Sequence, residues 1–161
     1  GVGLIVWNGT AGSWLGIGHD RRLCEAIERG TGIPATTSTL AVLDAVRASG
    51  IRRLAIVTPY TDDVNERIAA VFEGIGIRCA GAVGCGLSVN RAFANVGEEE
   101  IGRLIGEAAA LPGADGVAVV CTNMRGAHPA AEAERKLGIP VIDSAAATVR
   151  HALRVAGING A

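Results

Sequence analysis

Three segments of the sequence carry groups that could do chemistry, and each directly follows a short apolar, β-branched run. They are Asn8-Gly9-Thr10, Pro59-Tyr60 and Cys121-Thr122-Asn123. Runs of this kind are typical of buried strands, and in an open parallel sheet ligands bind beyond the carboxyl ends of the strands. We therefore expect a thiol, a phenol and open backbone N–H groups to meet at one edge of a sheet.

Cys121 is the candidate reactive group. It ends a run of small apolar residues, and the N–H groups of residues 122–124 could stabilise a thiolate or an oxyanion there. The alternative is that Cys121 is a small buried hydrophobic residue at a strand end. Of the other thiols, Cys24 lies in a predicted helix and Cys79 in a predicted strand, whereas Cys85, between two glycines, could border a pocket.

The few aromatic side chains gather near the same segments. Trp7 and Trp14 flank the first segment, and Tyr60 belongs to the second. Phe93 lies in the region after a predicted strand, and Phe72 alone has the spacing of a core residue on a helix. Aromatic residues on loops predict an apolar pocket at this edge of the sheet.

Common cofactor and nucleophile motifs are absent from the sequence. Gly84-Cys85-Gly86 lacks the third glycine of a dinucleotide fingerprint, residues 12–18 have no Walker lysine, and no G-x-S-x-G elbow occurs. Because cysteines and histidines do not stand at metal-ligand spacings, we expect no metal site. A thiol, a tyrosine and backbone donors are left to carry the chemistry.

Alternating strands and helices must position these residues. The hydrophobic periodicity predicts strands at residues 2–7, 33–36, 54–58, 77–83, 117–121 and 140–142, and helices at residues 20–29, 38–49, 62–75, 98–111, 129–137 and 144–155. The first strand is expected to be buried, residues 8–16 to form a loop, and Ser38 or Thr39 to cap the second helix. This alternation predicts an α/β fold with a parallel sheet covered on both faces.

The composition narrows the class of protein. The 161 residues carry 15 basic and 16 acidic side chains and a net charge of −1, which disfavours a nucleic-acid or acidic-membrane partner. The 49% hydrophobic content excludes general disorder, and no apolar run approaches the ~20 residues that span a bilayer. A chain of this length has an adequate core without disulfide bridges, so the four cysteines are expected to be reduced thiols in a cytoplasmic protein.

Four stretches carry a resemblance to a known family. They are residues 58–67 (TPYTDDVNER), 120–126 (VCTNMRG), 32–37 (GIPATT) and 137–144 (LGIPVIDS). With these stretches the chain resembles the aspartate/glutamate racemase superfamily, in the branch that contains arylmalonate decarboxylase and maleate cis–trans isomerase. The similarity runs from about residue 2 to residue 158.

The resemblance implies flavodoxin-like lobes related as a pseudo-two-fold pair, with a cleft between them and no metal or organic cofactor. Members of the family are longer, so the N-terminal part of the first lobe is expected to be missing. Residues 1–34 would be the remainder of that lobe, with the helix of residues 144–161 packing back on it. Residues 35–143 would form the second lobe, and a homo-oligomer is compatible with this organisation.

The resemblance also implies an asymmetric cleft. Members that racemise or isomerise carry one cysteine on each side, and Cys121 falls on the second of these positions. The first falls on Gly9, a departure that arylmalonate decarboxylase shares. That enzyme binds its carboxylate through hydroxyls and backbone N–H groups, which map onto Thr10, Ala11, Tyr60, Thr122 and Asn123. Asn90 falls in a stretch where isomerase-like members place an asparagine near the substrate.

We therefore expect a cofactor-independent enzyme that acts at the α-carbon of a small carboxylate or dicarboxylate through an enediolate. Cys121 would be the acid/base, with Tyr60 and Thr10 as catalytic donors, and decarboxylation is the main hypothesis. Isomerisation of maleate, racemisation of the aspartate/glutamate type, and a non-catalytic carboxylate-binding module are the alternatives. Ala11 replaces a serine usual in the decarboxylase, whereas Thr122-Asn123 replaces its glycines.

Overall fold

The computed structural model describes residues 1–158 as an alternation of strands and helices. In chain order, the strands are β1 (Ile5–Trp7), β2 (Ala35–Thr37), β3 (Arg53–Thr58), β4 (Arg78–Gly84), β5 (Gly116–Val119) and β6 (Val141–Asp143). The helices are α1 (Gly12–Leu15), α2 (Ile17–Thr31), α3 (Ser38–Ala48), α4 (Asp62–Gly74), α5 (Asn90–Phe93), α6 (Glu98–Ala109), α7 (Ala127–Leu137) and α8 (Ser144–Val155). The predicted α/β class is confirmed.

The strands of this part of the chain form two parallel sheets. The larger has the order β4-β3-β5-β6, and β1 pairs with β2 in a separate two-stranded sheet. From β3, the chain adds β4 on one side and then returns to add β5 and β6 on the other. This reversal is the switch point of a flavodoxin-like sheet, at which ligands bind beyond the strand ends.

The core lies on both faces of the larger sheet. Every side chain of β3 after Arg53 is buried, as are all four residues of β5. Since successive side chains of a strand point to opposite faces, helices must cover both faces. The fully buried Ile68 and Phe72 of α4 and Leu104 of α6 supply part of this cover.

Two helices that directly follow strands begin at caps supplied by the last strand residue. The Thr37 hydroxyl accepts a hydrogen bond from the Leu40 N–H at 3.2 Å, and the Asp143 carboxylate accepts one from the Ala146 N–H at 2.8 Å. The prediction that Ser38 or Thr39 caps α3 is therefore wrong by one or two residues. Thr37 remains extended, as an N-cap must, whereas Ser38 is already helical.

The N-terminal region departs most from the prediction. β1 covers residues 5–7 instead of residues 2–7, and it is not buried, since Trp7 is 53% exposed. Within the described residues β1 pairs with β2 alone, so its other edge stays open. The segment predicted as a loop contains α1, and α2 begins at residue 17 instead of residue 20.

Elsewhere the boundaries lie within two residues of the predicted ones. α5 is the exception, because it was not predicted, and β5 ends two residues early, at Val119, which leaves Cys121 on the turn that follows. No helix of the described part is both long and apolar enough to cross a membrane.

The division into lobes stays a prediction. Its boundary at residue 35 falls at the start of β2, which pairs with β1. α8 packs mainly on α3, where Asp44 accepts hydrogen bonds from Arg154 and His151. Residues 159–161 of the predicted last segment lie outside the described residues.

Candidate active site

A cavity of about 710 Å³ lies beyond the carboxyl ends of β1, β3 and β5. It is next to the switch point between β3 and β5, where sheet topology leads us to expect a ligand. The three predicted catalytic residues, Thr10, Tyr60 and Cys121, all line it. So do the five predicted substrate-binding residues, which are Gly9, Ala11, Asn90, Thr122 and Asn123.

The described residues that line the cavity include no Asp, Glu, Lys, Arg or His. An anionic ligand would therefore meet neutral donors in place of a formal positive charge. Such donors act at full strength only where water is largely excluded, because a low local dielectric strengthens their hydrogen bonds. Trp14 and Phe93 supply apolar surface for that purpose.

Hydrogen bonds within the loop after β3, and from the loop after β4, fix the backbone of Tyr60. The Thr58 hydroxyl donates to the Asn65 side-chain oxygen at 2.5 Å and accepts from the Tyr60 N–H at 3.0 Å. The Gly86 N–H donates to the Tyr60 carbonyl at 3.1 Å, and the Leu87 N–H to the Pro59 carbonyl at 2.8 Å.

Gly84, at the end of β4, permits this close approach. A Cβ at that position would lie 2.5 Å from the Asn65 side-chain nitrogen and 2.6 Å from the Tyr60 carbonyl oxygen. Glycine is therefore required sterically for the two loops to meet. The prediction that Tyr60 lies at the carboxyl end of its strand agrees with its position two residues after β3.

The Tyr60 ring is held between two other aromatic rings. Trp14 and Phe93 both approach it edge-on, with ring centroids 5.0 and 5.2 Å away. Its hydroxyl lies 3.4 Å from the Thr10 hydroxyl. Burial raises the pKa of Tyr60, the neighbouring Cys121 raises it further, and the Thr10 hydroxyl acts in the opposite sense. Tyr60 therefore stays protonated at neutral pH and can donate a hydrogen bond.

Cys121 is 3% exposed and lies just past the end of β5. The Val120 N–H donates to the Val57 carbonyl at 2.8 Å, so the contact with β3 continues one residue beyond the strand. The chain then turns, with the Met124 N–H donating to the Cys121 carbonyl at 3.2 Å. Cys121 and Tyr60, which follow the adjacent strands β5 and β3, therefore both line the cavity next to the switch point.

The remaining thiols lie elsewhere in the described structure. Cys24, Cys79 and Cys85 do not line the cavity, although Cys85 was expected to border it. Burial raises the pKa of Cys24 and of Cys85, and it raises the pKa of Cys79 to about 11. These three thiols are thus held in their protonated, less nucleophilic form.

Two groups of residues form different sides of the cavity. The thiol wall consists of Tyr60, Cys121 and Thr122, and the glycine wall consists of Gly9, Thr10 and Ala11. The walls touch where the Thr10 and Tyr60 hydroxyls approach to 3.4 Å, and the Thr122 hydroxyl donates at 3.3 Å to the carbonyl of Asn8, the residue before the glycine wall.

The glycine wall begins with a tight turn. The Gly9 N–H donates back to the Trp7 carbonyl at 2.9 Å, and the Ser13 hydroxyl donates to the Thr10 carbonyl at 2.6 Å. A Cβ on Gly9 would lie 2.8 Å from the Trp7 indole nitrogen. The indole therefore occupies the space that a side chain at position 9 would need.

Asn90 and Asn123 join at the cavity surface. The Asn123 side-chain nitrogen donates to the Asn90 carbonyl at 2.9 Å and to the Asn90 side-chain oxygen at 3.2 Å. Several lining residues were not singled out from the sequence, namely Thr61, Val64, Leu87 and Ser88. Val64 fits the apolar stripe of α4, and Leu87 and Ser88 follow β4 without a recognisable pattern, so no sequence signal marks them as lining residues.

Comparison with known proteins identifies the family. The family model described as arylmalonate decarboxylase matches residues 1–161. The chain belongs to this family. Arylmalonate decarboxylase of Bordetella bronchiseptica is 35% identical over 159 residues, which cover 98% of this chain and 66% of that protein. A maleate isomerase of Alcaligenes faecalis is 26% identical over 133 residues, covering 82% of this chain and 52% of that protein.

Solved structures agree with this assignment. A liganded double mutant of arylmalonate decarboxylase superposes with a TM-score of 0.92 at 33% identity, covering 99% of this chain and 69% of that one. The maleate isomerase Iso of Pseudomonas putida S16 has a TM-score of 0.88 at 23% identity, covering 98% and 66%, and shares the fold. The resemblance inferred from the sequence is confirmed. The chain spans 66% of the length of the curated decarboxylase and about half that of the curated isomerases.

Proposed function

We propose that the protein decarboxylates substituted malonates without a cofactor, with Cys121 as the proton donor. The observation that carries this proposal is the pairing of one buried thiol with the Tyr60 hydroxyl in a cavity lined by neutral groups, with glycine at position 9. The 35% identity to a decarboxylase supports it.

The carboxylate that stays on the substrate would be bound by preorganised donors. These are the Tyr60 and Thr10 hydroxyls and the backbone N–H groups of Ala11, Thr122 and Asn123. Loss of the other carboxylate as CO₂ leaves an electron pair that spreads over the remaining carboxylate as an enediolate. Donors aimed at its two oxygens lower the barrier, each by about 3 kcal/mol in a site that excludes water.

Proton delivery completes the reaction. The C–C bond to the departing carboxylate breaks, and the thiol of Cys121 then transfers its proton to the α-carbon as a general acid. The resulting thiolate recovers a proton from solvent before the next turnover. One proton is delivered per turnover, so one thiol is sufficient. Racemisation would need a second base on the other face, which Gly9 does not provide.

A second candidate function is cis–trans isomerisation of a small dicarboxylate such as maleate. It is favoured by the Asn90 side-chain nitrogen, which lines the cavity and could bind a second carboxylate, and by the relatedness to maleate isomerases. Cys121 would then add to the double bond, the new single bond would rotate, and elimination would restore the thiol. A binding module without turnover is the third hypothesis, and retention of both Tyr60 and Cys121 weighs against it.

One pair of assays on the purified protein distinguishes these functions. We expect CO₂ release from 2-methyl-2-phenylmalonate and no loss of maleate absorbance. Loss of maleate absorbance without CO₂ release would replace the decarboxylase by the isomerase. Alkylation of Cys121 by iodoacetamide that phenylacetate prevents, without turnover in either assay, would indicate a carboxylate-binding module.

Two further expectations belong to this proposal. All four cysteines are free, which fits a reducing compartment, and we propose a cytoplasmic location. The association of copies into a homo-oligomer stays a prediction that light scattering of the purified protein measures.

A further inference from the structure

α5 is a four-residue helix that forms part of the cavity surface. A helix of this length is not stable on its own in water, because the conformational entropy lost in forming the first turn exceeds the free energy gained from its hydrogen bond. Its position therefore depends on contacts with other elements. One contact is Phe93, buried and packed edge-on against Tyr60 at 5.2 Å.

The other contact is made by the first residue of the helix. Both the carbonyl and the side-chain oxygen of Asn90 accept hydrogen bonds from the side-chain nitrogen of Asn123, at 2.9 and 3.2 Å. A backbone carbonyl can only accept, so the group that faces it must be the amide nitrogen. The side-chain nitrogen of Asn123 thus donates to Asn90, although Asn123 itself lines the cavity.

This arrangement determines what Asn90 can offer a ligand. With both oxygens of Asn90 engaged by Asn123, the side-chain nitrogen of Asn90 has no hydrogen-bond partner among residues 1–158 and is the side-chain atom left for a ligand. A rotated Asn90 amide would present an oxygen, which would repel a carboxylate. Asn123 therefore favours the orientation in which Asn90 is a donor.

We propose that Asn123 is a positioning residue, which holds α5 against the turn after β5 and fixes Asn90 as a hydrogen-bond donor. It raises the affinity for a carboxylate ligand through Asn90 and not by its own side chain. This inference rests on the proposed carboxylate-binding function of the cavity, and it concerns the side chain of Asn123, not its backbone N–H.

The test is a double-mutant cycle with two readouts. The first is the Kd of phenylacetate, followed by the fluorescence of Trp7 and Trp14, which are the two tryptophans of the chain and both line the cavity. We expect Asn123→Leu and Asn90→Leu each to weaken binding about fivefold, the value of one ordinary hydrogen bond. The double variant should bind no more weakly than Asn90→Leu alone, because the first residue acts through the second.

The second readout needs no ligand. Hydrogen exchange of the backbone amides of residues 88–94 should become about fivefold faster in Asn123→Leu, because α5 opens more often without the hydrogen bonds from Asn123. Asn123→Gln, which keeps the carboxamide, should recover part of the slow exchange and of the affinity. Asn95→Leu is the matched control, since Asn95 follows α5, is exposed and does not line the cavity. It should change neither readout.

Two results would overturn the inference. Additive losses in the cycle would mean that the Asn123 side chain acts independently of Asn90. Unchanged exchange in Asn123→Leu would mean that it does not hold α5. If the unmutated protein does not bind phenylacetate, the proposed function fails, and the exchange measurement still decides whether Asn123 holds the helix.

Discussion

The thiol wall and the glycine wall both follow a strand end, yet they carry different chemistry. The thiol wall presents a buried sulfur beside a phenol whose pKa is raised, and main-chain hydrogen bonds from two neighbouring loops hold it in place. The glycine wall presents a hydroxyl, backbone groups and, at Gly9, the edge of an indole. Under the proposed mechanism, protons therefore come from one wall, while both walls bind the carboxylate.

Replacing the sulfur should have the largest effect on this asymmetry. Without the thiol the enediolate has no adjacent acid, so Cys121→Ala should lower kcat for decarboxylation by about 10³-fold. Single-turnover CO₂ release measures it, and circular dichroism controls for folding. A Cys121→Ala variant that keeps full activity would exclude the thiol mechanism. The matched control is Cys85→Ala, which should leave kcat unchanged.

Removing the phenol of the thiol wall should cost less. Tyr60→Phe deletes one donor to the enediolate while the ring keeps its packing against Trp14 and Phe93. We expect kcat/KM to fall about 10²-fold, the usual effect of one lost oxyanion donor, with Tm nearly unchanged. A large fall in Tm that accompanies the loss of activity would show that the hydroxyl contributes to stability and not to catalysis.

Adding a thiol to the glycine wall should break the asymmetry itself. Gly9→Cys would place a second acid/base there once the Trp7 indole moves aside, since its Cβ would lie 2.8 Å from the indole nitrogen. We expect α-proton exchange of 2-phenylpropionate in D₂O to rise about tenfold. This is less than the roughly 10²–10⁴-fold effect of a well-positioned acid/base, because the indole must first move. Gly9→Ala, which causes the same steric clash, is the control and should not gain exchange. NMR of the recovered acid measures both.

The smallest expected effect concerns pH. Burial, and then the neighbouring Cys121, raise the pKa of Tyr60, so its hydroxyl keeps its proton as the pH rises towards the ordinary tyrosine range. The alkaline limb of the kcat/KM profile should then have the same midpoint in the unmutated protein and in Tyr60→Phe. An alkaline limb that disappears in Tyr60→Phe would assign it to the phenol and contradict the direction of this shift.

The sequence predicted more of the thiol wall than of the glycine wall. Tyr60 and Cys121 follow strands of the main sheet, whose uncharged runs are easily recognised, and the carboxyl ends of parallel strands must lie at one edge. The glycine wall follows β1, which is short and only half-buried, so the buried strand that its apolar run predicted is not found. α1 was missed because a helix of four residues is too short to show a hydrophobic periodicity.

Individual hydrogen bonds and close approaches between side chains could not be predicted. The hydrogen bonds between Asn123 and Asn90 join positions 33 residues apart, and the approach of Trp7 to Gly9 depends on a turn. The N-cap of α3 was misplaced by one or two residues because Thr37, Ser38 and Thr39 are all good capping residues. Their side chains do not distinguish them as caps. Thr37 is the cap because β2 ends there.

The backbone hydrogen bonds that hold the Tyr60 loop have a consequence for engineering. Gly86 and Leu87 hold Tyr60 and Pro59 through backbone N–H groups, so these bonds survive a change of side chain at position 87. Leu87 and Ser88 nevertheless line the cavity. A combinatorial library at these two positions would therefore reshape the space for a substrate substituent while the reactive residues keep their places. The adjoining Gly84, where a Cβ has no room, should be left invariant in such a library.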